Sequence, residues 1–290
     1  MSDWTIQKLL TWITDYLTQK DVDSPRLSAE LLLSHVLGLK RIELYTQFGK
    51  AVPQEQLEQL RGLVKRAGLH EPVAYLVGRT EFYSIEFEVT SDCLIPRPET
   101  EHLVQRAIEF LRQRGAGQLA CDLCTGCGII AVAIAKNVPD VKVIATDISA
   151  EALAVATKNV EKHKLQERIE LRQGDLFEPL IPPLDQFDLI ASNPPYVSAA
   201  EYEKLDKNVK DYEPRIALYA GEGGLDVYRR IAERVGPFLK PDGILLLEIG
   251  YAQGTTVREL LEQTGVFARI EVEKDFQKHD RVVVARKASA

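Results

Sequence analysis

Long apolar runs are missing from this sequence of 290 residues. The longest run, near residues 128–135, is much shorter than the roughly 20 residues that a helix needs to cross a bilayer. The segment from Met1 to Trp4 also lacks the basic and apolar regions of a signal peptide. We therefore expect a soluble protein of the cytoplasm with no membrane partner.

Cysteine is scarce: the chain has four, which give no disulfide framework. Cys121, Cys124 and Cys127 have the spacing of an iron–sulfur or zinc ligand set. However, Cys121 falls inside a predicted strand, where alternation with Asp122 points it away from the following loop, and no nearby Cys or His pair supplies a fourth ligand. We expect small buried side chains in a reducing compartment, and no metal.

An excess of positive charge is also missing. The 36 Lys and Arg are outnumbered by 43 Asp and Glu, which gives a formal net charge of −7. Because phosphate neutralisation needs clustered basic residues, this balance argues against a polyanion as the main partner. We expect no direct nucleic-acid partner, and we expect a monomer.

The chain does have the length of about two domains, and its 45% hydrophobic content is ample for a core in each. Apolar residues recur at helical spacing from Trp4 to Leu17. Pro25 should begin a second helix that stops at Gly38, and Pro53 should begin another that runs toward Gly68. Residues 1–78 therefore predict a small helical bundle.

Residues 79–97 predict a hairpin around Ser84 and a linker stiffened by prolines. From residue 98 to 290 the pattern becomes one of alternating helices and strands. The first five strands should form a parallel, doubly wound α/β sheet, whereas the last two are too close together for a crossover and should pair antiparallel. The candidate strands are Gln118–Leu123, Val141–Thr146, Arg168–Gln173, Phe187–Ser192, Gly243–Ile249, Arg269–Glu273 and Arg281–Arg286.

A glycine-containing loop follows the first strand of this sheet and leads into a helix. Its glycines let the backbone approach a ligand closely. Asp147, at the end of the second strand, can accept both hydroxyls of a ribose, so we expect a ligand that contains adenosine. Asp175, after the third strand, can accept the adenine amino group, and Leu176 or Phe177 can cover the ring. The loop residues expected at the ligand are Asp122, Cys124, Thr125, Gly126, Cys127 and Gly128.

The loop alone leaves three kinds of protein open. Gly126, Gly128 and Ala131 satisfy the dinucleotide fingerprint, and Asp147 fits it too, which favours a nicotinamide oxidoreductase. Asp122 favours S-adenosylmethionine instead, because its carboxylate would repel a pyrophosphate and suits the cationic amino-acid end of that cofactor. A non-catalytic adenosine-binding module is the third possibility.

The chemistry points to Asn193-Pro194-Pro195-Tyr196. Two prolines cannot continue a sheet ladder, so the strand before them must end at Asn193, on the edge that borders a ligand crevice. The Asn193 side-chain oxygen and the Pro194 carbonyl can each accept one N–H of an amide or amino group, and Tyr196 can stack on its flat face. Residues 197–224 then follow with little periodicity, which is typical of a lid or docking flap.

These motifs resemble the HemK/PrmC family of protein-(glutamine-N5) methyltransferases over nearly the whole chain. The resemblance implies a class I S-adenosylmethionine-dependent methyltransferase fold, Rossmann-like with seven strands and an antiparallel last hairpin, behind a helical bundle. Cys124, Cys127 and Lys278 depart from the family pattern. The segments that carry it are Ser24–Leu27, Glu30–Leu33, Leu94–Glu101, Asp122–Gly128, Asn193–Tyr196, Glu213–Pro214 and Leu247–Gly250.

The resemblance implies methyl transfer to the GGQ-motif glutamine of class-1 peptide chain release factors, which tunes translation termination and leaves S-adenosylhomocysteine. Asn193, Pro194 and Tyr196 would be catalytic, Pro195 would join them in binding the substrate, and the bundle would recognise the protein partner. Cys124 also occurs in a sister family that acts on a ribosomal protein, so a ribosomal glutamine is an alternative. The amino group of a nucleic acid is another, since those enzymes share Asn-Pro-Pro-Tyr.

Overall fold

The computed structural model describes residues 4–275 and 277–289. The chain forms two compact units. The first contains the residues up to Arg79 and the segment Asp206–Tyr212, and the second contains Thr80–Leu205 and the residues from Glu213 onward. In the described ranges no helix is both long enough and apolar enough to cross a membrane.

The first unit is a helical bundle. Its opening helix buries Ile6, Leu9, Leu10, Ile13 and Leu17, which recur at the spacing of one helix face. Ser24, which precedes the second helix, has a φ of 47°, and its side chain makes no capping hydrogen bond. The helices of this unit are Ile6–Gln19, Pro25–Leu37, Arg41–Thr46, Gln54–Ala67, Val73–Val77 and Lys207–Lys210.

The predicted hairpin is confirmed: β1 is Arg79–Phe82 and β2 is Ile85–Glu88. The turn residues Tyr83 and Ser84 both have positive φ, as a two-residue hairpin turn requires. Asn159 fixes β2 by accepting from the Glu88 N–H at 2.7 Å and donating to the Glu88 carbonyl at 3.0 Å. Thr80 to Glu88 therefore pack as part of the second unit.

A seven-stranded sheet in the order β5-β4-β3-β6-β7-β9-β8 forms the centre of the second unit. The first five strands in this order are parallel, while β9 lies antiparallel to both β7 and β8. The predicted fold class is thus confirmed. The strands are β3 Leu119–Leu123, β4 Lys142–Asp147, β5 Ile169–Gln173, β6 Phe187–Ser192, β7 Leu239–Glu248, β8 Phe267–Lys274 and β9 Asp280–Lys287.

Helices pack against this sheet, and β6 is buried along its whole length. The first helix after the proline-containing linker starts at Thr100. Residues 197–224 contain more structure than expected, because Ser198 and Glu201 form a capping box that starts a short helix. The helices of the second unit are Thr100–Arg112, Ile129–Asn137, Ala150–Lys162, Ala199–Tyr202, Asp226–Arg234 and Gly254–Glu262, with 3-10 turns at Arg215–Ala217 and Gly236–Phe238.

Candidate active site

A cavity lies where the carboxyl ends of the central parallel strands meet. Its empty volume, counting the open space at its mouth, is about 850 Å³. Every residue that lines it belongs to the second unit. The predicted residues on its wall are Cys124, Thr125, Gly126, Cys127, Asp147, Asp175, Leu176, Asn193 and Pro195.

The glycine loop forms the floor of this cavity. Gly128 caps the helix Ile129–Asn137 with a φ of 86°, and a Cβ there would lie 3.3 Å from the Cβ of Ala156. Gly126 also has a positive φ, and its N–H donates to Oδ2 of Asp147 at 2.8 Å. Cys124 adopts a φ of 59° without being a glycine. The loop is thus bent sharply and tied to the end of β4.

Asp122, which the sequence predicts at the ligand, is not among the residues that line the cavity. Its side chain is fully buried beneath the loop, where Oδ2 accepts from the Thr125 hydroxyl at 2.5 Å and from the Ala131 N–H at 3.1 Å. Oδ1 has no hydrogen-bond partner in the described part of the chain. Burial raises the pKa of this carboxyl to about 7. Its geometry is that of a group that shapes the loop.

Asp147 stands on the wall as expected. Oδ1 accepts from the Ser149 N–H at 2.9 Å and Oδ2 from the Gly126 N–H at 2.8 Å, which fixes the carboxylate while leaving further lone pairs. Burial raises its pKa, against the effect of these two N–H groups. The next residue, Ile148, lines the cavity with 48% of its surface exposed. Ile148 is not among the site residues predicted from the sequence, although its position as an apolar residue directly after a strand-end carboxylate could have indicated it.

The segment after β5 separates two residues that the sequence left as alternatives. Leu176, with a φ of 51°, lines the cavity beside Asp175. Phe177 is fully buried and stacks on Phe238 with ring centroids 4.7 Å apart, so it cannot cover a ligand in the cavity. Asp175 Oδ2 accepts from Arg230 Nη2 at 2.5 Å, which engages one of its oxygens.

The tetrapeptide after β6 is divided between the wall and the core. Asn193 and Pro195 line the cavity, and Asn193 Nδ2 donates to the Thr100 hydroxyl at 3.2 Å. Pro194 is buried behind them. Tyr196 is half-buried and packs against the core, and burial raises its pKa to about 12. Neither Pro194 nor Tyr196 is among the residues that line the cavity.

Gln253 holds both ends of the excursion that follows. Its Nε2 donates to the carbonyls of Tyr196 at 3.0 Å and Gly224 at 3.1 Å, and its Oε1 accepts from the Gly250 N–H at 2.9 Å. Gly224 has a φ of 68°, and a Cβ there would lie 2.4 Å from the Tyr196 carbonyl oxygen. Glycine is therefore required at this position.

The part of the excursion around Glu213 and the linker before the helix Thr100–Arg112 form one wall. Arg97 Nη2 donates to Glu213 Oε1 at 2.6 Å, and the Ile95 N–H donates to Oε2 at 3.2 Å. Burial raises the pKa of Glu213, while Arg97 acts in the opposite direction. Pro96 and Pro214, the neighbours of this pair, both line the cavity.

The four cysteines lie in two different environments. Cys121 is buried in the hydrophobic core, where burial raises its thiol pKa, while Cys93, Cys124 and Cys127 lie on the cavity wall. Among residues 4–275 and 277–289, no group of three or more His, Cys, Asp or Glu side chains is arranged to hold a metal ion. None of the four cysteines, all of which lie in the described ranges, forms a disulfide.

Comparisons with known proteins find relatives over nearly the whole chain. The family model "PrmC N-terminal domain" matches residues 8–78, and "Methyltransferase small domain" matches residues 101–209. The release factor glutamine methyltransferase of Rhodopirellula baltica is 45% identical to this chain over 289 residues, covering 98% of this chain and 97% of the relative. That of Geobacter sulfurreducens is 42% identical over 283 residues, covering 98% and 97%. A solved methyltransferase from Pyrococcus furiosus shares the fold, with a TM-score of 0.53 at 18% identity over 72% of this chain and 91% of its own.

Proposed function

Because the chain belongs to the release factor glutamine methyltransferases, we propose that it transfers a methyl group from S-adenosylmethionine to the side-chain amide nitrogen of the GGQ-motif glutamine in a class-1 release factor. The observation that carries the proposal is the position of Asn193. Its amide stands on the wall of the cavity that also contains the glycine loop and Asp147. A group that can accept from a substrate amide therefore lies beside a site that fits an adenosine cofactor.

The residues on the wall fit S-adenosylmethionine. Asp147 has both oxygens fixed by backbone N–H groups and keeps lone pairs for ribose hydroxyls. Ile148 and Leu176 supply apolar surface for a flat ring, and Asp175 can accept an amino group. When bound, the cofactor supplies a methyl group carried on a sulfonium. The cofactor becomes S-adenosylhomocysteine after the transfer.

The protein's own task is to aim the substrate amide. An amide nitrogen is a poor nucleophile, since its lone pair is delocalised, so the rate depends mainly on holding nitrogen and methyl carbon in line at about 3 to 3.5 Å. Asn193 Oδ1 and the Pro194 carbonyl would each accept one N–H of the glutamine side chain. The same two acceptors would stabilise the positive charge that develops on the nitrogen before it loses a proton.

The two units would divide the work. We propose that the helical bundle binds the release factor, that the second unit performs the transfer, and that Tyr196 and Pro195 shape the mouth of the amide site. We also propose that the protein acts as a monomer in the cytoplasm, where release factors work, without a nucleic-acid partner of its own.

The proposal is tested by incubating the protein with methyl-labelled S-adenosylmethionine and a class-1 release factor, followed by peptide mapping. Label should appear on the GGQ glutamine and disappear when that glutamine is replaced by alanine. A ribosomal protein, assayed in parallel, should remain unlabelled. Label on the ribosomal protein but not on the release factor would contradict the proposed substrate, and tight NAD binding without any transfer would contradict the reaction.

A further inference from the structure

Two buried polar residues stand behind Asn193 without touching the cavity. Thr100 is fully buried at the first turn of the helix Thr100–Arg112, and its Oγ1 accepts from Asn193 Nδ2 at 3.2 Å. Glu248, at the end of β7, is 1% exposed. Ser192 of β6 pairs with Leu247 of β7, so Asn193 and Glu248 each follow a paired position on the same sheet edge.

The Thr100 hydroxyl decides which end of the Asn193 amide faces the cavity. A hydroxyl has one proton and can accept as well as donate. If its proton pointed to Asn193, the amide would present its oxygen to Thr100 and its NH2 group to the substrate. The Asn193 amide instead donates through Nδ2 to the Thr100 oxygen, so the Thr100 proton can turn to another acceptor. Glu248 is the candidate acceptor, since the Thr100 side chain favours the charged form of that carboxyl against the effect of burial.

Glu248 is held firmly enough to act as this acceptor. The hydroxyl of the buried Tyr228 donates to the Glu248 carbonyl at 2.8 Å, which fixes its backbone. Its Oε2 has no hydrogen-bond partner among the residues that the structure describes. Burying a carboxyl without its full set of hydrogen-bond partners costs free energy of folding. Such a group is most readily explained where a neighbouring side chain needs a hydrogen-bond acceptor.

We propose that Thr100 and Glu248 are positioning residues for methyl transfer. Glu248 accepts a hydrogen bond from the Thr100 hydroxyl, and Thr100 Oγ1 accepts one from Asn193 Nδ2. Asn193 Oδ1 is thereby turned toward the substrate amide. This inference rests on the proposed function. It requires that the pair act through Asn193 on the transfer step, and not on cofactor binding or on folding.

The central test compares Thr100→Val with Thr100→Ser in the full chain, assayed on the release factor at a pH above about 7, where Glu248 is ionised. Valine keeps the shape and loses the hydroxyl, so the Asn193 amide is free to turn. We expect kcat to fall on the order of 100-fold, the cost of a small misplacement of reacting groups, with an unchanged Kd for S-adenosylmethionine. Serine keeps the hydroxyl and should recover most of the rate.

A matched control removes a threonine hydroxyl elsewhere in the same unit. Thr157 Oγ1 donates to the Leu153 carbonyl at 2.8 Å on the exposed face of a helix, away from the cavity wall. Thr157→Val should leave kcat unchanged.

Glu248→Gln is the second route to the same conclusion, since it preserves shape and folding. Its amide accepts weakly and can also donate to Thr100, so its kcat should fall between the wild type and Thr100→Val.

A double variant separates positioning from a general structural effect. If Thr100 acts only through Asn193, then Thr100→Val combined with Asn193→Ala should be no slower than Asn193→Ala alone. The inference would be overturned, with the proposed function intact, if the two substitutions multiplied their losses in the double variant or if Thr100→Val had a wild-type kcat. Where Thr100→Val does not fold, a wild-type kcat in Glu248→Gln would overturn it in the same way. No transfer by the wild-type chain would overturn both.

Discussion

Arg97 and Glu213 are 116 residues apart in the sequence, yet their side chains form an ion pair with 2.6 Å between Nη2 and Oε1. The Glu213 side chain is 1% exposed and that of Arg97 is 31% exposed. Because Glu213 also accepts from the Ile95 N–H, one buried carboxylate fastens the linker to the interior of the 197–224 excursion. The wall of the cavity therefore depends on a contact that no local pattern in the sequence reveals.

Arg97→Ala should loosen this wall. It leaves a buried carboxylate without its cation, which costs roughly 3 kcal/mol of the free energy of unfolding, and it should weaken S-adenosylmethionine binding. Chemical denaturation and calorimetric titration measure the two effects. Arg229→Ala is the matched control, because the Arg229–Asp226 pair is about half exposed on both sides and should cost less than about 1 kcal/mol. Equal losses in the two variants would contradict the special role of Glu213.

The buried Asp122 should make stability depend on pH. Its pKa is raised from 3.8 to about 7 in the folded state, so the folded protein keeps a proton that the unfolded chain has lost. The stability that the folded protein gains from this raised pKa is fully present at pH values below the unfolded pKa. It decreases as the pH rises toward 7 and is lost above pH 7. The pKa of Glu248 is raised to about 7 as well, so the wild type should lose stability through both groups.

Asp122→Asn isolates one of the two groups. It removes the titration while keeping an oxygen for Thr125 and Ala131, so the stability difference between variant and wild type should shift in favour of the variant between about pH 5 and about pH 8. Urea midpoints at several pH values measure this. A difference that stays constant with pH would show that Asp122 does not titrate in this range.

The sheet was predictable because its signals are local. Phe187–Ser192 was placed at its observed bounds, since Pro194 and Pro195 cannot continue a strand and most residues of the strand before them are apolar. The glycine loop followed from its position between a strand and a helix. The antiparallel last hairpin followed from the short connection between Arg269–Glu273 and Arg281–Arg286.

The site was less predictable because side-chain direction depends on distant groups. The sequence placed Asp122 in the loop, but it did not show that the Ala131 N–H captures the carboxylate from beneath. The positive φ of Leu176 turned Phe177 into the core. Thr100 was missed because its partner Asn193 lies 93 residues away. Contacts of this kind arise from tertiary packing and leave no period in the sequence.

A chain that starts at Thr80 should separate substrate recognition from cofactor binding. We expect it to bind S-adenosylmethionine and to lose methylation of the intact release factor, because it lacks the bundle. Calorimetric titration and the labelling assay measure the two properties. Labelling of the intact release factor at the wild-type rate would contradict the division of labour.

A chain that starts at Thr90 is the matched comparison for this boundary. It also removes β2, which leaves the buried Asn159 Oδ1 without the Glu88 N–H, although Nδ2 still donates to the Cys127 carbonyl at 2.9 Å. It should be less stable than the chain starting at Thr80 by at least about 1 to 3 kcal/mol, the cost of leaving buried polar groups unpaired. Equal stability would show that the hairpin contributes nothing to the second unit.

Asn193→Ala should slow methyl transfer strongly and leave cofactor binding largely intact, because the proposed task of this side chain is to orient the substrate amide. The expected loss in single-turnover rate is at least on the order of 100-fold. If Asn193 only shaped the turn after β6, the substitution would lower the melting temperature while the rate per folded molecule stayed normal. Measuring both quantities on the same preparation separates the two explanations.

Asn193→Asp gives the finer test. Aspartate keeps the size and the acceptor oxygen but replaces Nδ2, which donates to Thr100, with a second oxygen. It also adds a negative charge beside the cationic sulfonium, which stabilises the ground state at least as much as the transition state. We therefore expect Asn193→Asp to bind S-adenosylmethionine as well as the wild type or better, yet to transfer the methyl group slowly. A wild-type rate in this variant would show that acceptor oxygens alone suffice and that the direction of the amide is unimportant.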